Sequence, residues 1–176
     1  MSQQIVQPIV SVGQKKSRVL LIVIIVLVFI VIASGVWGIV WWIADSKKAT
    51  AVKIYGGGLS LHFQQIAFDT DDGVLKVDDV NAITVSSLGS PTLYGDLWVT
   101  MDGVGNKFFH TNAGTDEWIL YEFKTSHRIK SITIKNRTDC CQVRLANYKI
   151  QLLRDNEPLG DAQQLTADQV NTITFA

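Results

Sequence analysis

Cysteine is scarce in this 176-residue chain: there are two, Cys140 and Cys141, and they are adjacent. That rules out a disulfide-dense scaffold, and together with His110 the pair makes a poor zinc set, because no fourth ligand is evident. Proline is equally sparse, at three residues, and no repeat or low-complexity tract appears. Acidic residues are missing altogether before Asp45. Beyond Ala44 stand sixteen acidic and thirteen basic residues, a net charge of −3, which argues against nucleic acid as a partner. No carboxylate pair or nucleophile–base spacing is present, so the residues point away from an enzyme; His127, beside Arg128, reads as a strand-edge residue.

What the chain does have is a long apolar run, Val19 to Ile43, twenty-five residues without a charge. A bilayer core needs about 20 such residues. As a helix rising about 1.5 Å per residue, the run is long enough to span with some tilt. Trp37, Trp41 and Trp42 gather at its C-terminal end, where indole rings suit the headgroup boundary. A cleaved signal peptide is the alternative, with Lys15, Lys16 and Arg18 as its basic region and Ala33-Ser34-Gly35 as its cleavage site. Its apolar core would be about 7–15 residues, which favours an uncleaved signal-anchor. Lys47, Lys48 and Lys53 balance the N-terminal charges, so domain size decides the orientation. The expected layout is a cytoplasmic tail at 1–18, a spanning helix at 19–43, a linker at 44–52 and an outer domain at 53–176, in type II topology. A Ser34-x-x-x-Gly38 pair would let two such helices approach closely, as in a homo-oligomer.

The outer segment reads as β throughout. Ser131–Lys135, Tyr148–Leu152 and Thr172–Phe175 alternate apolar and polar residues at period two, the signal of half-buried strands. Turn chemistry separates them at Gly56-Gly57-Gly58, Asp71-Asp72-Gly73, Asp102-Gly103, Asp155-Asn156-Glu157-Pro158 and Gly160. Asp69-x-Asp71-Asp72-Gly73 lacks EF-hand spacing, with Val80 in place of the bidentate Glu, and reads as a hairpin turn. Short strands spaced by turns predict one all-β sandwich domain behind a single transmembrane helix.

His110 is followed, after twenty-six residues, by Arg137-x-Asp139, then four residues and Arg144, with the cysteine pair inside the last gap. Around this pattern run Phe109-His110-Thr111, Glu117–Phe123, Ile129–Arg137 and Arg144–Tyr148. The pattern and its order resemble the fucose-binding (F-type) lectins and the discoidin-like (coagulation factor type C) domains, most closely over residues 109–153. Met101-Asp102-Gly103 is similar to that family's Val-Asp-Gly turn. The family's last two strands are absent from the end of the chain, but Val52-Lys53-Ile54 and Leu61–Asp69 resemble them at the front. The resemblance therefore implies a circularly permuted jelly-roll β-sandwich, similar to lectin-like modules of large DNA viruses.

It also implies a sugar site. Arg137 and Arg144 would donate to ring and hydroxyl oxygens, and His110 would select a hydroxyl by geometry. Asp139 would orient one guanidinium. Cys140 and Cys141 can pair with each other, pair with another chain, or remain free thiols. Neighbouring Cα atoms lie about 3.8 Å apart, below the usual disulfide range, so a vicinal bridge serves as a rigid apolar plate for a pyranose edge rather than as a stabiliser. Such a bridge requires an oxidising compartment. Phe108, Phe109 and Tyr94 are candidates for an apolar wall beside a deoxy-sugar methyl group. Asn136-Arg137-Thr138 is a glycosylation sequon, but a glycan there would crowd Arg137, so Asn136 is expected to be unmodified. Calcium, a feature of the family, is doubtful here: Asp102 is a weak candidate ligand, while Val99 and Val104 fall where oxygens are needed.

The expected function is a membrane-anchored lectin for fucosylated or related glycans, on a cell surface or virion membrane. Eight basic residues against one acid between Lys124 and Arg154 raise a second reading, sulfated or sialylated glycans. A third is a structural or adhesion module whose sandwich docks on neighbouring proteins without binding sugar.

Overall fold

The computed structural model describes residues 13–89, 97–102 and 108–175. Tyr94, Gly103 and Val104 lie outside the described residues, as do the side chains of Asp102, Lys15, Lys16 and Arg18. The chain divides into two compact units between Ser46 and Lys47.

The first unit holds one helix, α1 (Gly13–Ser46). Its apolar stretch from Leu21 onward is long enough to cross a membrane. Apolar side chains cover every side of it, and Trp37, Trp41 and Trp42 are exposed. A helix without a polar face needs an apolar surround. The helix runs past the expected 19–43 at both ends, starting at Gly13 and ending at Ser46.

Residues 44–52, expected as a linker, are instead mostly structured. Strand β1 (Ala49–Gly56) opens within that stretch, and Ala49, Ala51 and Val52 are buried. Small and β-branched side chains there fit the sandwich interior, so the outer unit begins earlier than residue 53.

β1 is the central strand of the larger sheet. On one side it pairs antiparallel with β7 (Glu117–His127), on the other with β9 (Tyr148–Arg154). Ile54 lies between Ile119 and Ile150 in that register. β5 (Val80–Val85) extends the sheet beyond β7, and the short strands β10 (Glu157–Pro158) and β11 (Gln163–Gln164) flank β9. The second sheet orders β12 (Val170–Thr174), β8 (Ile129–Lys135), β3 (Gln65–Thr70) and β4 (Gly73–Val74). A separate ribbon joins β2 (His62–Phe63) to β6 (Phe109–His110).

Alternation explains why the sheets pack. Val52, Ile54, Ile119, Tyr121 and Ile150 turn inward from the first sheet; Ile66, Phe68, Ile132 and Ile134 do so from the second. Phe68 meets Tyr121 and Phe123 with ring centres 5.2 and 5.3 Å apart, edge to face. The Tyr121 hydroxyl is satisfied in the core by Thr100 Oγ1 at 2.8 Å, on the single helical turn Val99–Asp102. The fold is thus a β-sandwich preceded by one apolar helix, as expected.

The expected hairpin at Asp69–Gly73 is present. Thr70 Oγ1 accepts the Asp72 N–H and donates to the Gly73 carbonyl, and Gly73 supplies the positive φ of +111°. Val80 starts β5 and packs its apolar side chain into the core. His127 ends β7 with its ring edge-on to Phe123, 5.8 Å away.

Phe68→Ala should cost about 3–5 kcal/mol of stability, because it empties the junction of the two sheets. Val74→Ala, at an exposed position on β4, should stay within about 0.5 kcal/mol. Urea unfolding of the full chain in detergent, followed by near-ultraviolet circular dichroism, distinguishes the two.

Candidate functional site

The site begins where β8 ends. Asn136 is buried and acts as the pin of the loop that follows. Its backbone N–H donates to the Gln169 carbonyl at 2.8 Å and its Nδ2 to the carbonyls of Gln142 at 3.0 Å and Asp168 at 3.4 Å. Its Oδ1 accepts the Arg137 N–H at 2.9 Å. One side chain therefore ties both ends of the 136–142 loop together.

Arg137, 8% exposed, is held twice. Its Nε and Nη2 donate to the two carboxylate oxygens of Asp139 at 2.8 and 2.5 Å, and its guanidinium carbon lies 3.7 Å from the Phe108 ring centre. The fork is thereby fixed in plane, and Nη1 is the nitrogen left to meet a ligand. Asp139 itself faces solvent, with its carboxyl held far below the ordinary range by the Arg137 hydrogen bonds.

Cys140 and Cys141 are bonded to each other, with Cα atoms 3.8 Å apart. Cys141 takes the left-handed conformation, at φ +66°, and leads into the 3₁₀ turn Gln142–Asn147. The turn buries Leu145 and presents Arg144, whose Nη1 donates to Ser60 Oγ at 3.1 Å. Tyr148 fixes the same segment by donating its hydroxyl to the Leu59 carbonyl.

His110 arrives from β6, where its register partner is His62 of β2. The two rings are 5.6 Å apart. His62 is fully buried, and its Nε2 lies 3.2 Å from the Cys141 carbonyl. A carbonyl only accepts, so His62 carries its proton on Nε2. Its Nδ1 is then a buried acceptor with no hydrogen-bond partner among the described residues. Burial first, then the nearby Arg137, His110 and Arg144, push the His62 pKa down to about 4; the Cys141 bond offsets this in part. His110 is also lowered, by burial and by the two arginines, against the opposing backbone hydrogen bond at Thr111. At neutral pH both imidazoles are uncharged, and each can accept as well as donate.

The predicted residues His110, Arg137 and Arg144 thus converge, with Asp139 and the disulfide alongside. Phe109 does not join them. It is buried in the core against Phe63, ring centres 5.4 Å apart, because strand alternation turns it away from its neighbours Phe108 and His110. Phe108 is the aromatic at the site. Ser60 and His62 are members that the motif did not reveal, since each joins through a long-range contact. Among the described residues no three His, Cys, Asp or Glu side chains are grouped so that they could hold a metal ion. Asp102 closes a helical turn.

Residues 100–176 match the F5/F8 type C family model described as a NedA-like, galactose-binding domain. That stretch contains His110, Arg137, Asp139, the disulfide and Arg144, whereas Ser60 and His62 precede it. Neither a search of the curated proteins nor one of the solved structures returned a match.

Two outcomes follow from this geometry. A histidine with a lowered pKa is protonated more readily in the unfolded chain, so stability should be full above about pH 6.5 and fall as pH drops toward 4. The slope is at most about 1.4 kcal/mol per pH unit for His62, with His110 adding in the same sense. His62→Gln, which keeps a donor but cannot titrate, should flatten that slope in urea midpoints measured across the range. Asn136, 1% exposed and fully hydrogen-bonded, should carry no glycan when the chain is made in a secretory pathway; a mobility shift after glycosidase treatment would show otherwise.

Proposed function

We propose that this chain is a membrane-anchored carbohydrate-binding protein that recognises terminal fucose or a related sugar without turnover. The observation that carries this reading is the convergence of Arg137, Arg144 and His110 beside the Cys140–Cys141 plate. Two guanidiniums supply charged donors, the neutral imidazole supplies a donor or acceptor, and the half-exposed disulfide supplies an apolar surface. A pyranose needs all three, since it offers hydroxyls in fixed directions and C–H edges between them. The match to a galactose-binding family model supports carbohydrate as the ligand class.

The placement of β1 between β7 and β9, and of β3 beside β8, supports a permuted order in which strands usually found at the end come first. The apolar helix and the disulfide support a type II arrangement, with the sandwich on the oxidising side of a cell surface or virion membrane. A single-sugar site binds in the millimolar to micromolar range, roughly −4 to −8 kcal/mol. Clustering on a membrane would then provide the avidity that attachment requires.

One observation favours a variant ligand. Arg144 faces the hydroxyl of Ser60, and Arg137 and Arg144 add to burial in lowering both histidines, so a sulfated or sialylated sugar would find a receptive charge there.

The full chain in lipid nanodiscs, applied to a glycan array under oxidising conditions, should bind fucose-terminated glycans. Arg137→Ala should abolish the signal, and Arg144→Ala should weaken anionic glycans more than neutral ones. A flat array for the unaltered chain would overturn the carbohydrate reading.

A further inference from the structure

A second feature lies on the solvent face of the larger sheet. Tyr55 of β1 and Trp118 of β7 stand directly opposite each other in the register. The residues flanking them, Ile54 and Ile119, turn into the core, so this aromatic pair points outward. Tyr55 is 36% exposed. The Lys53 ammonium lies over the pair, 5.2 Å from the Trp118 ring centre and 5.9 Å from that of Tyr55.

Around these rings is a hollow of about 360 Å³, also lined by Gly57, Thr115 and Asp116. Gly57 shapes it: a Cβ there would come within 1.7 Å of the Thr115 carbonyl oxygen, so only glycine lets the loop close against β1's end. The hollow thus combines aromatic faces with an ammonium, a hydroxyl and a carboxylate at the rim. Apolar C–H faces edged by hydroxyls complement such a surface.

Two paired chain segments connect the hollow to the site described above. His62 pairs with His110, the Thr111 N–H bonds the Leu61 carbonyl, and the Gly58 N–H bonds the Gly114 carbonyl. The two segments run side by side from the histidines to the aromatic pair. His62 follows Tyr55 by seven positions along the chain, so at about 3.3 Å per step the two places are at most roughly 23 Å apart. An extended oligosaccharide can cover such a distance; a monosaccharide cannot.

Building on the carbohydrate reading, we propose that Tyr55 and Trp118 form a second sugar-contacting platform, where inner units of an oligosaccharide stack while its terminal sugar occupies the Arg137–Arg144 site. Lys53 then pivots from the rings to donate to hydroxyls. The ligand is an oligosaccharide rather than a lone sugar.

The test uses the full chain in nanodiscs of neutral lipid, titrated calorimetrically with methyl fucoside, methyl galactoside and pentasaccharides ending in each sugar. The unaltered chain should bind one pentasaccharide about tenfold more tightly than its methyl glycoside. Trp118→Ala and Tyr55→Ala should each remove most of that advantage and leave methyl glycoside binding unchanged. If Trp118→Ala lowers the melting temperature, Trp118→Leu, which keeps apolar bulk without the ring, takes its place. Unchanged pentasaccharide affinity in both variants, with loss in Arg137→Ala, overturns the platform and leaves the first site standing. Pentasaccharide binding that survives Arg137→Ala but not Trp118→Ala supports the platform and overturns the first site. Failure of the unaltered chain to bind any of the four probes overturns both.

Discussion

The antiparallel pairing of β1 on both its edges is the constraint from which the remaining architecture follows. β7 and β9 have no direct pairing with each other; the row Val52 to Gly56 joins them through backbone hydrogen bonds on either side. The same row turns Val52 and Ile54 into the core, where they help cover the facing sheet. Where β1 ends, Gly56 and Gly57 pass beneath backbone atoms that no side chain could clear. The chain is thereby delivered to Ser60 and His62, beside Arg144 and His110. Strand pairing in the larger sheet thus sets the entry point of two residues in the site.

Within the site, rigidity comes from hydrogen bonds rather than from apolar packing. Asn136 ties the loop to the 3₁₀ turn, Asp139 holds Arg137 in plane against Phe108, and Ser60 meets Arg144. The Cys141 carbonyl takes hydrogen bonds from both His62 and the Arg144 backbone, so the disulfide's left-handed residue is fastened on two sides. Placing two neutral imidazoles among these cations has an electrostatic logic. A charged histidine would be repelled by both arginines, whereas a neutral one adds the acceptor that guanidiniums lack.

Much of this was legible in the sequence. The apolar run announced α1, and period-two alternation located β8, β9 and β12 to within a few residues. The spacing of His110, Arg137, Asp139 and Arg144 picked out side chains that do converge. Phe109 was misplaced because an aromatic on a two-residue strand carries no marker of which face it takes; its pairing with Phe63 decides that. The 44–52 stretch was misread as a linker because Lys47 and Lys48 mask the alternation that starts at Ala49. His62 and Ser60 went unnoticed because nothing local distinguishes them, and their partners are 79 and 84 residues away.

By itself, then, the sequence determined the elements and the local motif, since hydrophobic period, turn residues and the short gap from Arg137 to Arg144 act over a few residues of chain. Tertiary structure alone decided which residues complete the site: strand register brought His62 to His110 and Tyr55 to Trp118. Register is a collective property of every inward-facing pair in a sheet, so no single residue along the chain carries it.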